Sequence, residues 1–222
     1  MSRAQTSYDL IVFDWDGTLM DSVGTIVACT RATLDELGLP QVEEALIRGS
    51  VGLSIAETVR RLSGGDPDPE HSARLQECYR RHWFETFRDR PVLFSGVEQL
   101  IERLEAAGHL LAVATGKSRR GLDHDLSATA LADRFHATRT ADEARSKPHP
   151  QMLLDLLDEL GVAAGRALMI GDSIWDLQMA AAARVPALAV ATGAHPREVL
   201  EAERPADCLD GIAELEKWLA GS

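Results

Sequence analysis

Tyr8-Asp9-Leu10-Ile11-Val12-Phe13-Asp14-Trp15-Asp16-Gly17-Thr18-Leu19 holds the pattern from which the architecture is read. Its first half is a short, nearly continuous apolar run, as expected of a strand buried on both faces of a parallel sheet. Two aspartates and a glycine follow at once, so a tight turn and two carboxylates begin where the run ends. The same order returns at His109-Leu110-Leu111-Ala112-Val113-Ala114-Thr115, at Ala167-Leu168-Met169-Ile170 before Gly171-Asp172, and at Ala187-Leu188-Ala189-Val190-Ala191 before Thr192-Gly193. Amphipathic helical stretches lie between these runs, over Val97 to Ala107, Pro150 to Leu160 and Ile174 to Ala183, with Gly108 and Gly161 placed as C-terminal caps. Strands alternating with helices predict an α/β fold, a Rossmann-like doubly wound parallel sheet.

From about Ser22 to Arg90 the alternation stops. The periodicities there are helical (Ile26 to Leu37, Ser54 to Leu62, Glu70 to Phe87), separated by Gly38-Leu39-Pro40 and by Gly64-Gly65-Asp66-Pro67-Asp68-Pro69. An inserted α-helical cap domain is expected over 21–90, with 1–20 and 91–222 forming the core. Ligands of open parallel sheets bind beyond the carboxyl ends of the strands, so an insertion leaving from the first such end would stand over the site as a lid.

The chain has 222 residues, 45% of them hydrophobic and 26% charged, which fits a soluble globular core rather than a disordered or fibrous chain. A net charge of −12 opposes a nucleic-acid backbone or an anionic membrane surface. Cys29, Cys78 and Cys208 are odd in number and widely spaced, and read as reduced thiols. The polar Met1 to Asp9 stretch and the short apolar run after it do not make a signal or a membrane span, and a cytoplasmic location is expected.

The groups able to do chemistry follow the apolar runs: Asp14 and Asp16, then Thr115, then Asp172 and Asp176. Strand ends in one parallel sheet converge. Asp14 and Asp16 could direct one side chain and one backbone carbonyl at a common cation, with Asp172 completing the oxygen set. Asp176, one helical turn beyond Asp172, suits the outer shell. So many carboxylates need a counter-charge, and Lys147 in Ser146-Lys147-Pro148-His149-Pro150 is the candidate. Thr115-Gly116-Lys117-Ser118 looks like the tail of a nucleotide-binding loop, but Leu111 stands where that loop needs glycine, which argues against it.

Asp14-Trp15-Asp16-Gly17-Thr18-Leu19 followed by Asp21-Ser22, Val113-Ala114-Thr115-Gly116-Lys117, Lys147-Pro148-His149-Pro150 and Gly171-Asp172-Ser173-Ile174-Trp175-Asp176 together resemble the four ordered motifs of the haloacid dehalogenase superfamily, and within it the phosphatases with a helical cap. The resemblance implies a Mg²⁺-dependent phosphatase acting on a small phosphorylated metabolite, phosphoglycolate-like, through an aspartyl-phosphate. Asp14 would be nucleophile and Asp16 general acid, then general base. Thr115 and Gly116 would hold phosphate oxygens, and Lys147 would bind nucleophile and phosphoryl group together. The metal would take Asp14, Asp16 and Asp172, with Asp176 in the outer shell.

A phosphosugar mutase of the same superfamily and a non-catalytic phospholigand-binding protein are the alternatives, and monomer and homodimer both remain open. In the resembled family the loop equivalent to Arg48-Gly49-Ser50-Val51-Gly52-Leu53 selects substrate. Arg48 is therefore a candidate for a second anionic group, weighed against a solvent-facing role. Trp15 is read as packing beneath the cap, and the cluster His82-Trp83-Phe84 with Phe87 as cap core, weighed against contact with substrate. Lys117, Arg119 and Arg120 stand between helping to offset the site's charge and a solvated helix face. Where the family commonly shows Asn-Ala-Gly, this chain has Ala182-Ala183-Arg184, so Arg184 must accept a left-handed backbone or end the helix differently.

Overall fold

A computed structural model describes residues 8–87 and 91–221. The first apolar run forms β1 (Leu10–Phe13), central in a six-stranded sheet whose pairings are all parallel. The other strands are β2 (Leu110–Ala114), β3 (Ala137–Arg139), β4 (Ala167–Gly171), β5 (Ala187–Val190) and β6 (Cys208–Leu209). Their order is β3-β2-β1-β4-β5-β6, so the chain winds outward from β1 on one side and then crosses back to wind outward on the other. The reversal lies between β1 and β4, the crevice where such sheets bind ligands.

The four central strands bury both faces. Ile11, Phe13, Leu111, Val113, Leu168 and Ile170 meet α5 (Val97–Ala106), α6 (Arg119–Ala128) and α10 (Leu215–Gly221). On the opposite face Leu10, Val12, Ala112 and Met169 meet α7 (Gln151–Leu160) and α8 (Ile174–Ala183). Each such side chain contributes about 1.5–3 kcal/mol by leaving water, which is why the unbroken apolar runs locate the strands. Runs too short to read as strands are the edges: β3 and β6 have three and two residues, and only β2 and β5 flank them. Helix α9 (Arg197–Ala202) starts after Pro196 and packs beside β5 and β6.

Helices α1 (Val23–Glu36), α2 (Glu44–Arg48), α3 (Ile55–Leu62) and α4 (Pro69–His82), with a π-helical turn over Trp83–Phe87, form the helical insertion after β1. Pro69 opens α4 behind Asp68, whose carboxylate accepts the His71 N–H at 3.1 Å. Leu34, Val59 and Leu75 form the insertion's own small core. Glu36 ties α1 to α4 through Arg81 and through His82 Nε2 at 2.9 Å. The expected return to the core near Pro91 abuts residues 88–90, which lie outside the described residues. Arg184 accepts the strained option: it caps α8 at φ 58° and ψ 33°, left-handed without being glycine.

Candidate active site

The register sets Phe13 level with Val113 and Ile170, so Asp14, Thr115 and Asp172 emerge together from β1, β2 and β4. All three are buried. Gly17 (φ +89°) turns the chain directly beneath Asp172, and a Cβ there would lie 2.3 Å from Asp172 Oδ2. Carboxylate oxygens of Asp14, Asp172 and Asp176 all lie within 4.8 Å of one another.

Lys147 supplies the counter-charge expected of it. Fully buried, its Nζ lies 2.5 Å from Asp14 Oδ1 and 2.6 Å from Asp176 Oδ1. Burial alone would lower the Lys147 pKa, but the two carboxylates outweigh it and hold the ammonium above its ordinary value. Asp176 is the N3 residue of α8, where its Oδ2 accepts the Ser173 N–H at 3.2 Å and the Ser173 hydroxyl at 2.6 Å. Its Oδ1 meets Lys147 as an ion pair but accepts no hydrogen bond. Asp172 accepts Thr18 Oγ1 at 2.8 Å on one oxygen and the Ala194 N–H at 2.7 Å on the other. Burial, with Asp176 adding repulsion, pushes Asp172 up to about 7, and burial likewise pushes Asp14 well above the usual carboxylate range.

Asp14 Oδ2 is buried with no hydrogen-bond donor. Among the described residues this oxygen, beside two further carboxylates, makes an all-oxygen donor set of high negative charge. That chemistry fits a hard divalent cation such as Mg²⁺, which prefers carboxylate, carbonyl and water oxygens.

The Asp16 side chain does not join that cluster. It turns toward the helical insertion, accepting Ser22 Oγ at 2.6 Å and Lys117 Nζ at 2.9 Å. Lys117 thus belongs to the site and not to a solvated face. It also pairs with buried Asp125 at 3.1 Å and lies 4.6 Å from the centre of the Trp83 ring. Asp125 was missed by the sequence reading. Its signal is its place in the buried stripe of α6 with Gly121, Leu122 and Leu126, where an acid needs a partner. Arg119 instead pairs with Asp123 and Glu143, and Arg120 stacks 4.0 Å over Phe84.

Three expectations need correction. Arg48 is not brought to the site: it pairs with Glu44 at 3.0 Å on an exposed face, one helical turn away along α2. Trp15 packs between the sheet and α6 rather than beneath the cap, because its indole N–H finds Asp125 at 3.1 Å and its ring meets Phe135 edge-on. Trp83 and Phe84 are not cap core. They stand on the π-helical turn after α4 and, with Tyr79 of that helix, line a cavity of ≈ 70 Å³ that opens beside Asp16 and Lys117.

Besides the Trp83 and Phe84 contacts, three of the points where the insertion's backbone meets the core flank the site. Trp175 Nε1 donates to Gly49 O at 3.0 Å, and the Ser54 N–H donates to Ser146 Oγ at 2.9 Å, next to Lys147. The third point is Gly116, where a Cβ would lie 2.4 Å from Gly52 O and 2.5 Å from Leu53 O. Thr115 Oγ1 accepts the Lys117 N–H at 3.2 Å and shapes that turn.

Residues 11–190 match the model of the haloacid dehalogenase-like hydrolase family. The chain belongs to that family. This haloacid dehalogenase-like hydrolase is 27% identical over 217 residues to a phosphoglycolate phosphatase of Nitrosococcus oceani, covering 96% of each chain. It is 33% identical over 201 residues to one of Mesorhizobium japonicum, covering 89% of this chain and 88% of that one. A haloacid dehalogenase-like hydrolase of Bacteroides fragilis superposes with a TM-score of 0.87 at 25% identity, over 94% of this chain and 100% of that one. No helix among the described residues is long and apolar enough to cross a membrane.

Proposed function

We propose that this hydrolase is a phosphatase that cleaves a small phosphomonoester in two displacements at Asp14. In the first, an Asp14 carboxylate oxygen bonds to phosphorus while the bond from phosphorus to the ester oxygen breaks. The departing alcohol takes its proton from Asp16. In the second, a water gives a proton to Asp16 and bonds to phosphorus, the Asp14–phosphorus link breaks, and inorganic phosphate leaves.

The observation that carries this reading is the division of labour on Asp14. Lys147 holds Oδ1 while Oδ2 is buried without a donor. One oxygen is therefore fixed and the other is left for a ligand. Lys147 keeps the nucleophile's charge matched as an anionic ester approaches. Thr115 and the amides of its turn, at the start of α6, would hold non-bridging oxygens. Asp16 stands on the side of the insertion, joined to Ser22 and Lys117, where a leaving alcohol would emerge.

Asp14, Asp172 and the Asp16 carbonyl would hold Mg²⁺, with Asp176 in the outer shell because Ser173 and Lys147 already occupy its oxygens. Bound there, the ion supplies screening between carboxylate and phosphate. Residues 21–90 are proposed as the lid that excludes water from the site, and three buried free thiols suit a cytoplasmic location. The relatives named as phosphoglycolate phosphatases support a small metabolite as substrate.

Asp14→Asn tests the reading. Phosphate release from a panel of monoesters with Mg²⁺ present should fall at least about a thousandfold, and unchanged release would overturn it.

A further inference from the structure

The cavity beside Asp16 has a composition of its own. Ile26, Ile55, Tyr79, Trp83 and Phe84 line it, and the polar Asp16, Arg80, Lys117 and Ser118 share the lining. Its ≈ 70 Å³ is several times the roughly 10–15 Å³ that one water needs and about half of the roughly 150 Å³ that encloses a benzene, so it takes the edge of a ring whose remainder stays at the mouth. The wall is held in place. Tyr79 and Trp83 stack at 6.2 Å with their planes 14° apart, and the Lys117 ammonium lies against the Trp83 face.

In-line displacement fixes what enters it. With Asp14 on one side of phosphorus the ester oxygen must lie on the other, toward Asp16, and the cavity opens there. The ammonium at that wall is already committed, since Lys117 faces two carboxylates, Asp16 and Asp125. Arg80 is exposed at the mouth and bonded to Gln76. A carboxylate entering there would give up water to meet a lysine held by two acids and a Ser118 hydroxyl that already accepts the Gly121 N–H at 3.2 Å, whereas an apolar ring gains contact with aromatic and aliphatic walls.

Building on the phosphatase reading above, we propose that the preferred substrate is a phosphomonoester of an alcohol carrying a flat apolar ring, seated between Trp83, Phe84, Ile26 and Ile55. Trp83 and Phe84 are then residues that determine specificity.

The test compares kcat/KM for benzyl phosphate and phosphoglycolate, both of which release a primary alcohol, so that leaving-group chemistry does not decide the result. The expected result is a preference of about tenfold or more for benzyl phosphate in the unaltered enzyme. Trp83→Ala should lower the benzyl value by about tenfold and the phosphoglycolate value by much less, and Phe84→Leu offers a milder change of the same wall. Benzylphosphonate needs no variant and no turnover: its Ki should lie about tenfold below that of phosphonoacetate. Equal or reversed preferences overturn the ring proposal while leaving the phosphatase reading intact. If no ester of any kind releases phosphate with Mg²⁺ present, the phosphatase reading itself falls.

Discussion

Replacing Gly116 by alanine tests whether activity needs the helical insertion seated on the core. An alanine Cβ would lie 2.4 Å from Gly52 O and 2.5 Å from Leu53 O, against the 3.4 Å or more of an ordinary contact. The loop between α2 and α3 must therefore retreat by about 1 Å, and because the opposing atoms are backbone no side-chain rotation relieves the clash. Overpacking of this kind costs about 1–3 kcal/mol. At about 1.36 kcal/mol per factor of ten, that cost lowers the seated population roughly 5- to 150-fold, and kcat/KM with it. The assay is phosphate release under subsaturating substrate with Mg²⁺. Two controls separate the causes. The rise in Tm on adding Mg²⁺, which depends on the carboxylates and not on the turn at Gly116, should stay within about 2 °C of the wild-type rise. Tm should fall by no more than about 2 °C, because an insertion that lifts off relieves the strain without unfolding the sheet. Wild-type kcat/KM would refute the seating argument. So would an activity loss matched by a Tm drop of about 6 °C or more, which would mean the core itself had been damaged.

Lys147→Met leaves Asp14 and Asp176 buried without their cation, and stability should fall by about 3–5 kcal/mol, the usual cost of breaking a buried pair from one side. Thermal unfolding should register this as roughly 6–20 °C, with phosphate release lost. A Tm within about 2 °C of wild type would contradict the counter-charge role. The pH dependence of metal-free stability follows from Asp172, which sits at about 7 when folded against an ordinary value of 3.8. Between about pH 4 and pH 7 the folded chain holds a proton that the unfolded chain has lost, so stability falls as pH rises through that window. A divalent cation competes with that proton. At a hundredfold excess over Kd, Mg²⁺ should raise Tm by about 5–11 °C at pH 8 and by distinctly less at pH 5. An equal gain at both pH values would show that the buried acids are not where the ion binds.

The four central strands and the four acids beyond them are legible along the chain because a strand buried on both faces can hardly afford a polar residue. The run therefore stops where the site starts, as at Phe13 before Asp14 and at Gly171 before Asp172. The edge strands β3 and β6 are not legible, since three and two residues carry too little apolar pattern to separate a strand from a loop. Lys117 and Asp125 show the same limit at the site. Each is an ordinary charged residue when read alone, and the two become a buried pair only when α6 packs Asp125 against Trp15 and beside Lys117, which precedes that helix and reaches Asp16.

By itself, then, the sequence determined a parallel sheet interrupted by helices and a cluster of carboxylates with one lysine, because burial and charge balance constrain residue types locally. Which side chains line the cavity beside Asp16 was decided only in three dimensions. Trp83 and Phe84 line it from a π-helical turn, and Arg48 turns away to Glu44. Gly116 lies under a loop some sixty residues earlier in the chain. Contacts so distant in sequence arise from how separately folded surfaces pack, and local pattern carries no record of them.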